Sequence, residues 1–160
     1  MTPYYQRVRK YLALTVLFVA LVGFKILHRR PNRPVLVKWT ALAKVEAEST
    51  RLNRPIFYDF SADWCSPCRQ MAREVFADPE DAAFINEHFV AAQIFSRGDI
   101  DDGNVRGEGG ELMKKYEVEN YPTLVIAHQN EQPIFYRGYG SREKLMTFLR
   151  AQAGGPGESK

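Results

Sequence analysis

The sequence predicts an α/β domain with a central mixed β-sheet flanked by helices, preceded by one N-terminal transmembrane helix. Three observations lead to this prediction. Helical and strand-like patterns alternate over residues 39–153, an uncharged apolar run stands near the N-terminus, and the composition suits a single core. Of the 160 residues, 45% are hydrophobic and 12% are aromatic, which is enough for one ordinary domain together with an anchor or a tail.

The apolar run reads YLALTVLFVALVGF from residue 11 and continues to residue 27 if one lysine reaches the polar interface. Roughly 17 residues are at the lower limit for a membrane-spanning helix. The run is apolar all round, which argues against a core helix, and no small-residue cleavage site follows closely, which argues against a signal peptide. We therefore predict a short basic N-terminus over 1–10, an uncleaved anchor over 11–27 and a linker over 28–38.

Charge is spread unevenly along the chain. Residues 1–38 hold eight Lys or Arg and no acid, which leaves 14 basic residues against 19 acidic ones in the remainder. The overall pI of about 8.9 therefore belongs to the N-terminus, and no nucleic-acid footprint is predicted for the domain. Three basic residues precede the apolar run and five follow it, so the positive-inside rule alone leaves the orientation in the membrane open.

Hydrophobic periodicity after the linker predicts the order helix, strand, helix, helix, strand, helix, strand, strand, helix. The first helix places Leu42, Val45 and Leu52 on one face. A helix that begins at the cysteines directs Met71 and Val75 inward. The predicted strands are IFYDF, FVAAQIF, PTLVIA and PIFYRG.

Cap signals and loops complete the predicted domain, 39–153. Asp78 is the expected N-cap of a helix with Pro79 in its first turn. Ser141 caps the last helix, whose inward residues are Leu145, Phe148 and Leu149. A polar, glycine-rich loop over 96–110 precedes the short helix ELMKKYEV, and residues 154–160 form a disordered tail.

The two cysteines, Cys65 and Cys68, are separated by Ser66 and Pro67, between a strand and a helix. The positive end of that helix favours a thiolate at Cys65, and Cys68 lies about one turn away, within reach of a disulfide. Pro67 removes one backbone N–H and stiffens the small ring that a Cys65–Cys68 disulfide would close, while Ser66 is small enough to leave Cys65 accessible. This pattern predicts a two-electron switch in which Cys65 attacks a partner disulfide and Cys68 resolves the mixed disulfide.

Other interpretations of the pair fit the sequence less well. A structural disulfide that closes so short a loop adds little stability. A zinc site usually needs four ligands, but the chain has no second C-x-x-C, and His28, His88 and His128 are scattered. We therefore predict a redox pair and no metal site.

The segment FSADWCSPCRQM resembles the active-site segment of the thioredoxin superfamily, and YPT at residues 121–123 resembles its second signature. With VFADPE after the cysteines, the sequence is most similar to the C-terminal thioredoxin-like domain of the thiol:disulfide interchange protein DsbD and related membrane-tethered proteins. The resemblance covers residues 38–153 and implies a thioredoxin fold.

This resemblance implies roles for individual residues. Cys65 would be the attacking cysteine and Cys68 the resolving one. Asp59 matches a buried acid beneath the dithiol, where burial raises its pKa so that it takes the Cys68 proton through a water. A solvated or capping carboxylate is the alternative for Asp59.

The substrate-binding residues implied by the resemblance are Trp64, Pro67, Tyr121 and Pro122. A cis bond before Pro122 would free the Tyr121 backbone to pair with an extended substrate and would keep metals from the thiols, although trans is the general default for X-Pro bonds. Trp64 would flank the site, and simple core packing is its alternative role.

The resulting hypothesis is a membrane-tethered thiol:disulfide oxidoreductase that reduces or exchanges protein disulfides. The resemblance implies no bound cofactor, because the dithiol carries the electrons. The expected partners are protein disulfides and a thiol donor or acceptor, and the expected location is the bacterial inner membrane with the domain facing the periplasm. Ser66 and Pro67 replace the usual Gly-Pro, which leaves the direction of electron flow open. The alternative is a thioredoxin-like adaptor or a copper-handling module in metalloprotein assembly.

Overall fold

The structure, a computed structural model, describes residues 11, 14–21, 23, 34–96, 108–129 and 131–153. The predicted basic N-terminus and C-terminal tail lie outside these residues, as do parts of the predicted anchor, most of the linker and most of the 96–110 loop. The chain divides into two compact units, Met1–Asn32 and Arg33–Lys160. Residues 14–21 are helical, and across the described part of the chain no helix combines the length and the apolar character needed to cross a membrane.

The described part of the second unit contains five α-helices and four strands. They are α1 (Leu42–Leu52), β1 (Ile56–Ala62), α2 (Ser66–Met71), α3 (Pro79–His88), β2 (Val90–Ser96), α4 (Glu108–Lys115), β3 (Thr123–Ala127), β4 (Ile134–Arg137) and α5 (Arg142–Gln152). The predicted order of elements is confirmed. The sequence did not predict the π-helical turn Ala72–Phe76 that continues α2, in which the Ala77 N–H donates to the Ala72 carbonyl over 2.9 Å.

The four strands form one mixed sheet in the order β2-β1-β3-β4. Strand β1 pairs in parallel with β2, whereas the β1–β3 and β3–β4 pairs are antiparallel. All seven residues of β1 are buried, as expected for a central strand covered on both faces. The predicted mixed sheet flanked by helices is therefore confirmed.

Alternating side chains of the sheet build two apolar cores, because successive residues of a strand point to opposite faces. One core joins Phe57 of β1 to α2, its π-helical turn, α3 and α5. The other joins Tyr58 and Phe60 to α1 and α4. Phe57 is fully buried, and burying a side chain of this size contributes on the order of 2–3 kcal/mol.

The end of the predicted linker packs onto the domain. The Leu36 N–H donates to the Phe76 carbonyl and the Lys38 N–H donates to Asn86 Oδ1, over 2.7 and 2.8 Å. Val37 is buried, and the Trp39 ring lies edge-on to Phe76 at 5.3 Å. Residues 36–38 are therefore part of the folded domain.

Several predicted details are wrong. Leu52 is 37% exposed, because it is the last residue of α1 before the left-handed Asn53, and Ser49 is buried instead. Helix α4 spans Glu108–Lys115, so it begins and ends three residues earlier than the predicted helix ELMKKYEV. In α5, Leu145 and Leu149 are buried and the half-buried Phe148 packs against the same core, as predicted, but the sequence did not predict the burial of Met146.

Candidate active site

The two cysteines lie where β1 ends and α2 begins. Cys65 is the N-cap of α2, and its Sγ accepts a hydrogen bond from the Cys68 N–H over 3.2 Å. Pro67 occupies the first turn, where the backbone N–H has no partner within the helix and is not missed. The predicted start of this helix at the cysteines is confirmed.

Cys65 and Cys68 are joined by a disulfide bond, with their Cα atoms 5.3 Å apart. Both residues are 4% exposed, although Ser66 and Pro67 between them are exposed. The expectation that Ser66 leaves Cys65 accessible is therefore wrong for this oxidised state, in which the disulfide packs against Ala62 and Tyr121.

The segment before the cysteines is held by backbone hydrogen bonds. The Asp63 N–H donates to the Ser96 carbonyl over 3.3 Å, which ties the end of β1 to the end of β2. The guanidinium of Arg69 in α2 donates to the Asp63 carbonyl over 2.5 Å. These contacts fix Trp64 and Cys65 between two secondary-structure elements.

Two aromatic rings flank the disulfide. Trp64 is 43% exposed, and its ring meets that of Tyr121 edge-on, with centroids 5.6 Å apart. Tyr121 packs against the cysteine pair, and burial raises the pKa of its phenol, whose hydroxyl donates to Met113 Sδ over 3.5 Å. Trp64 is thus a partly exposed residue beside a buried disulfide.

The Tyr121–Pro122 peptide bond is cis, as the resemblance implied. Pro122 is buried directly before β3, and its carbonyl accepts a hydrogen bond from the Gly138 N–H over 2.8 Å. Gly138 has a φ of 77°, a conformation that residues with a side chain rarely adopt. The Pro122 carbonyl is thus anchored to the β4–α5 connection at the point where β3 begins.

Asp59 lies within β1 and is completely buried. Its two carboxylate oxygens accept hydrogen bonds from Ser61 Oγ over 2.5 Å and from Gln93 Nε2 over 2.8 Å. Burial raises the pKa of Asp59 to about 6, and the two hydrogen bonds oppose that rise because they favour the charged form. The expected burial of Asp59 is confirmed, and the alternative of a solvated carboxylate is wrong.

Ser61 and Gln93 are site residues that the sequence analysis missed. Ser61 was detectable, because it follows Asp59 by two residues and so lies on the same face of the strand. Gln93 carried a weaker signal as a polar residue in the apolar strand VAAQIF. Only the pairing of β1 with β2 places it opposite Asp59.

The structure also contains a cavity that lies away from the cysteines. This cavity of about 790 Å³ is lined by residues of α1, β1, α4, β3 and β4, among them Tyr58, Tyr116 and Phe135, and it contains none of the predicted site residues. Among the residues that the structure describes, no cluster of three or more His, Cys, Asp or Glu is arranged to hold a metal ion.

Comparison with known proteins places the chain in a family. Residues 42–153 match the sequence profile of the thioredoxin-like domain. DsbD, the thiol:disulfide interchange protein of Ralstonia nicotianae, is 28% identical over 109 residues, which cover 66% of this chain and 17% of DsbD. Thioredoxin H4 of Arabidopsis thaliana is 32% identical over 93 residues, which cover 58% of this chain and 65% of that protein.

A solved structure agrees with the fold. The C-terminal domain of Neisseria meningitidis DsbD in its oxidised form has a TM-score of 0.55 and 20% sequence identity, over 72% of this chain and 99% of that domain. At this level of identity the similarity supports the fold alone.

A mixed sheet between helices, with a C-x-x-C disulfide at the start of a helix, defines the class of thioredoxin-fold disulfide oxidoreductases. The chain belongs to the thioredoxin-like domain family. Its relatives include thiol:disulfide interchange proteins, protein disulfide isomerases and thioredoxins, which are oxidoreductases. The chain spans about a sixth of the length of the DsbD relative and just under two thirds of the thioredoxin.

Proposed function

We propose that this protein is a membrane-tethered thiol:disulfide oxidoreductase that reduces or exchanges disulfides in other proteins. The observation that carries the proposal is the disulfide between Cys65, the N-cap of α2, and Cys68 in the first turn of the same helix. The pair closes within one turn, so it can open and close without rearrangement of the sheet. In this reaction the oxidised pair is the product state.

The reaction begins with the reduced pair. The Cys65 thiolate attacks one sulfur of a partner disulfide, forming a new S–S bond and releasing the other partner sulfur as a thiolate. Cys68 then attacks Cys65 Sγ, which forms the Cys65–Cys68 disulfide and releases the second partner thiolate. Two electrons pass to the partner. One of the two protons that its thiolates take up comes from Cys68 by way of Asp59, and the other comes from solvent, because Cys65 enters the reaction already ionised. A thiol donor must reduce the pair again before the next cycle.

The geometry at Cys65 supports its role as the attacking residue. In the oxidised state the Cys68 N–H donates to Cys65 Sγ over 3.2 Å, and the same donor at the start of the helix would stabilise a Cys65 thiolate more than a neutral thiol. Cys68 lies one turn further into the helix, behind the exposed pair Ser66 and Pro67. It is therefore suited to resolve the mixed disulfide.

Asp59 is assigned the role of proton acceptor for Cys68. A carboxyl group with a pKa of about 6 is partly protonated and partly ionised near neutral pH, which suits a group that takes up and releases a proton. The proposed transfer from Cys68 passes through a water molecule. Asp59 and the cysteines form the proposed catalytic set.

Trp64, Pro67, Tyr121 and Pro122 are the proposed contacts for the partner protein. Trp64 and Pro67 are exposed on the two sides of Cys65 along the chain, and Tyr121 packs against the disulfide. A partner segment that lies over the sulfur atoms would meet these side chains first. The proposed partners are protein disulfides and a thiol electron donor or acceptor.

The tether and the location are also proposals. The apolar run over 11–27 with basic residues on both sides supports a single-pass anchor. The proposed location, a bacterial inner membrane with the domain facing the periplasm, is the one that the resemblance to DsbD implied. The anchor is tested by extracting membranes at alkaline pH. A protein with a membrane-spanning anchor is expected to stay in the membrane pellet. Release into the supernatant would remove this part of the proposal.

The central experiment compares Cys65→Ser and Cys68→Ser in an insulin-reduction assay. Cys65→Ser is expected to abolish disulfide exchange. Cys68→Ser is expected to accumulate a mixed disulfide between Cys65 and the substrate, which a reducing agent cleaves. Ser66→Ala, a substitution at the exposed position between them, serves as the control. Full activity in Cys65→Ser would overturn the proposal, and tight Cu(I) binding by the reduced pair with negligible turnover would favour a copper-handling module.

A further inference from the structure

We propose that Gln93, together with Ser61, is a positioning residue that pairs with the Asp59 carboxyl group and controls its exchange of a proton. This inference rests on the proposed function of Asp59. It assigns a role to two residues outside the cysteine motif, one on the same strand and one on the neighbouring strand.

Sheet register brings the two side chains together. Strand β1 pairs in parallel with β2 so that Asp59 lies opposite Gln93, and the two side chains meet at 2.8 Å between Gln93 Nε2 and Asp59 Oδ2. On the other side, Asp59 lies opposite Leu124 of β3, which has no polar group in its side chain. Gln93 is therefore the polar cross-strand neighbour of the carboxyl group.

The core that lies on the same face of the sheet as Asp59 is apolar. The core on its face of the sheet contains Met71 and Val75 of the helix after the cysteines, and Leu145 and Leu149 of α5. Because these side chains offer the carboxylate neither a charge nor a donor, its stabilisation depends on hydrogen bonds from the strands.

Charged and titratable groups on the covering helices are engaged elsewhere. On α3, the buried Asp81 pairs with Arg142 of α5, and the neighbouring Asp78 also accepts from Arg142. In the π-helical turn, Glu74 accepts a hydrogen bond from the Tyr139 hydroxyl over 2.7 Å. The remaining charged residues of these helices lie on exposed or half-buried positions, namely Arg69, Arg73, Glu80, Glu87, His88, Glu143, Lys144 and Arg150. On β1 and β2, Ser61 and Gln93 are the hydrogen-bond donors to Asp59.

A primary amide suits both protonation states of the carboxyl group. Its NH₂ donates to the carboxylate, and after rotation of the amide its carbonyl accepts from the carboxylic acid. Gln93 can therefore pair with Asp59 before and after proton transfer, whereas an apolar residue would pair with neither form and a lysine would favour only the charged form. Gln93 is half-buried while Asp59 is fully buried, so Gln93 is the more solvent-accessible partner of the pair.

The test measures the Asp59 titration directly by ¹³C NMR on the full-length, oxidised protein. The Asp59 carboxyl signal is assigned by its loss in Asp59→Asn. Because the cysteines do not titrate in the oxidised state, the change of this signal with pH reports the titration of Asp59 alone. Gln93→Leu is expected to raise the midpoint by about one pH unit, since a hydrogen bond to a charged group contributes roughly 1.4 kcal/mol or more. Gln93→Lys is expected to lower the midpoint by about one unit or more, and Ser61→Ala is expected to raise it.

The control is Gln129→Leu, which removes an amide that donates to Thr50 Oγ1 over 2.8 Å, far along the chain from Asp59. It is expected to leave the midpoint unchanged. If Gln93→Leu fails to fold, Gln93→Met replaces it, because methionine keeps the length of the side chain without the amide. The inference is overturned if the Leu or Met variant and the Lys variant both leave the midpoint within about 0.3 units of the wild type.

A second measurement separates this inference from the proposed function. The rate of disulfide exchange is followed against pH in the wild type, Asp59→Asn and the Gln93 variants. An unchanged profile in Asp59→Asn would remove Asp59 from the proposed mechanism, while the NMR titration would still decide the role of Gln93. If the pH dependence of the exchange rate is lost in Asp59→Asn but its midpoint is not displaced in the Gln93 variants, the positioning role of Gln93 is overturned while the role of Asp59 stands.

Discussion

The substitution Asp59→Asn tests how burial of one carboxyl group links the stability of this fold to pH. Asp59 is completely buried and its pKa is raised from an ordinary 3.8 to about 6, chiefly by desolvation. Because the pKa is higher in the folded state, the stabilising effect of the neutral acid is fully present below about pH 4. It is lost as the pH rises through about 6.

The size of this effect follows from the two pKa values. A difference of about two units, at roughly 1.4 kcal/mol per unit, makes the wild type about 3 kcal/mol less stable at pH 7 than it would be with a neutral group. Asparagine is neutral at every pH. If the introduced asparagine hydrogen-bonds less well to Ser61 or Gln93 than the aspartate does, the free energy of unfolding changes by the same amount at every pH. The dependence of stability on pH is then unaffected.

The assay is urea unfolding of the oxidised full chain at intervals from pH 4 to pH 8. The stability of the wild type relative to Asp59→Asn is expected to fall by about 2–3 kcal/mol across this range, with most of the fall below pH 7. Asp63→Asn, the same change at an exposed position, is expected to alter stability by less than about 0.5 kcal/mol. Parallel curves for the wild type and Asp59→Asn would refute the reasoning.

Three further substitutions test the site and the core. Trp64→Ala is expected to raise the KM for a protein disulfide by more than it lowers kcat, because the exposed indole is a proposed partner contact; an unchanged KM in steady-state kinetics would contradict this. Phe57→Ala should lower the free energy of unfolding by about 3–5 kcal/mol, measured in urea, since it empties the centre of one core. Asp78→Ala removes the N-cap of α3, whose carboxylate accepts two backbone N–H groups, and should cost about 1 kcal/mol in the same assay; no loss would argue against the cap.

Local features of this protein were readable from the sequence. The C-x-x-C spacing places two cysteines on one turn of a helix, and both the disulfide and the N-cap position of Cys65 follow from residues adjacent in the chain. The N-cap at Asp78 and the order of elements were likewise predictable. In each case the interacting groups lie within a few residues, so the pattern itself contains the geometry.

Features that depend on pairing between distant segments were not readable. Gln93 lies 34 residues from Asp59, and only the parallel register of β1 and β2 brings its amide to the carboxylate. The burial of Ser49 in place of Leu52 depends on where α1 ends relative to β1.

The sequence by itself determined which residues can carry the thiol chemistry and which elements hold them, because those properties arise from short-range spacing. The tertiary structure alone decided how the buried acid is hydrogen-bonded and how deeply the disulfide is covered. Both depend on side chains that strand register and helix packing bring together from separate parts of the chain.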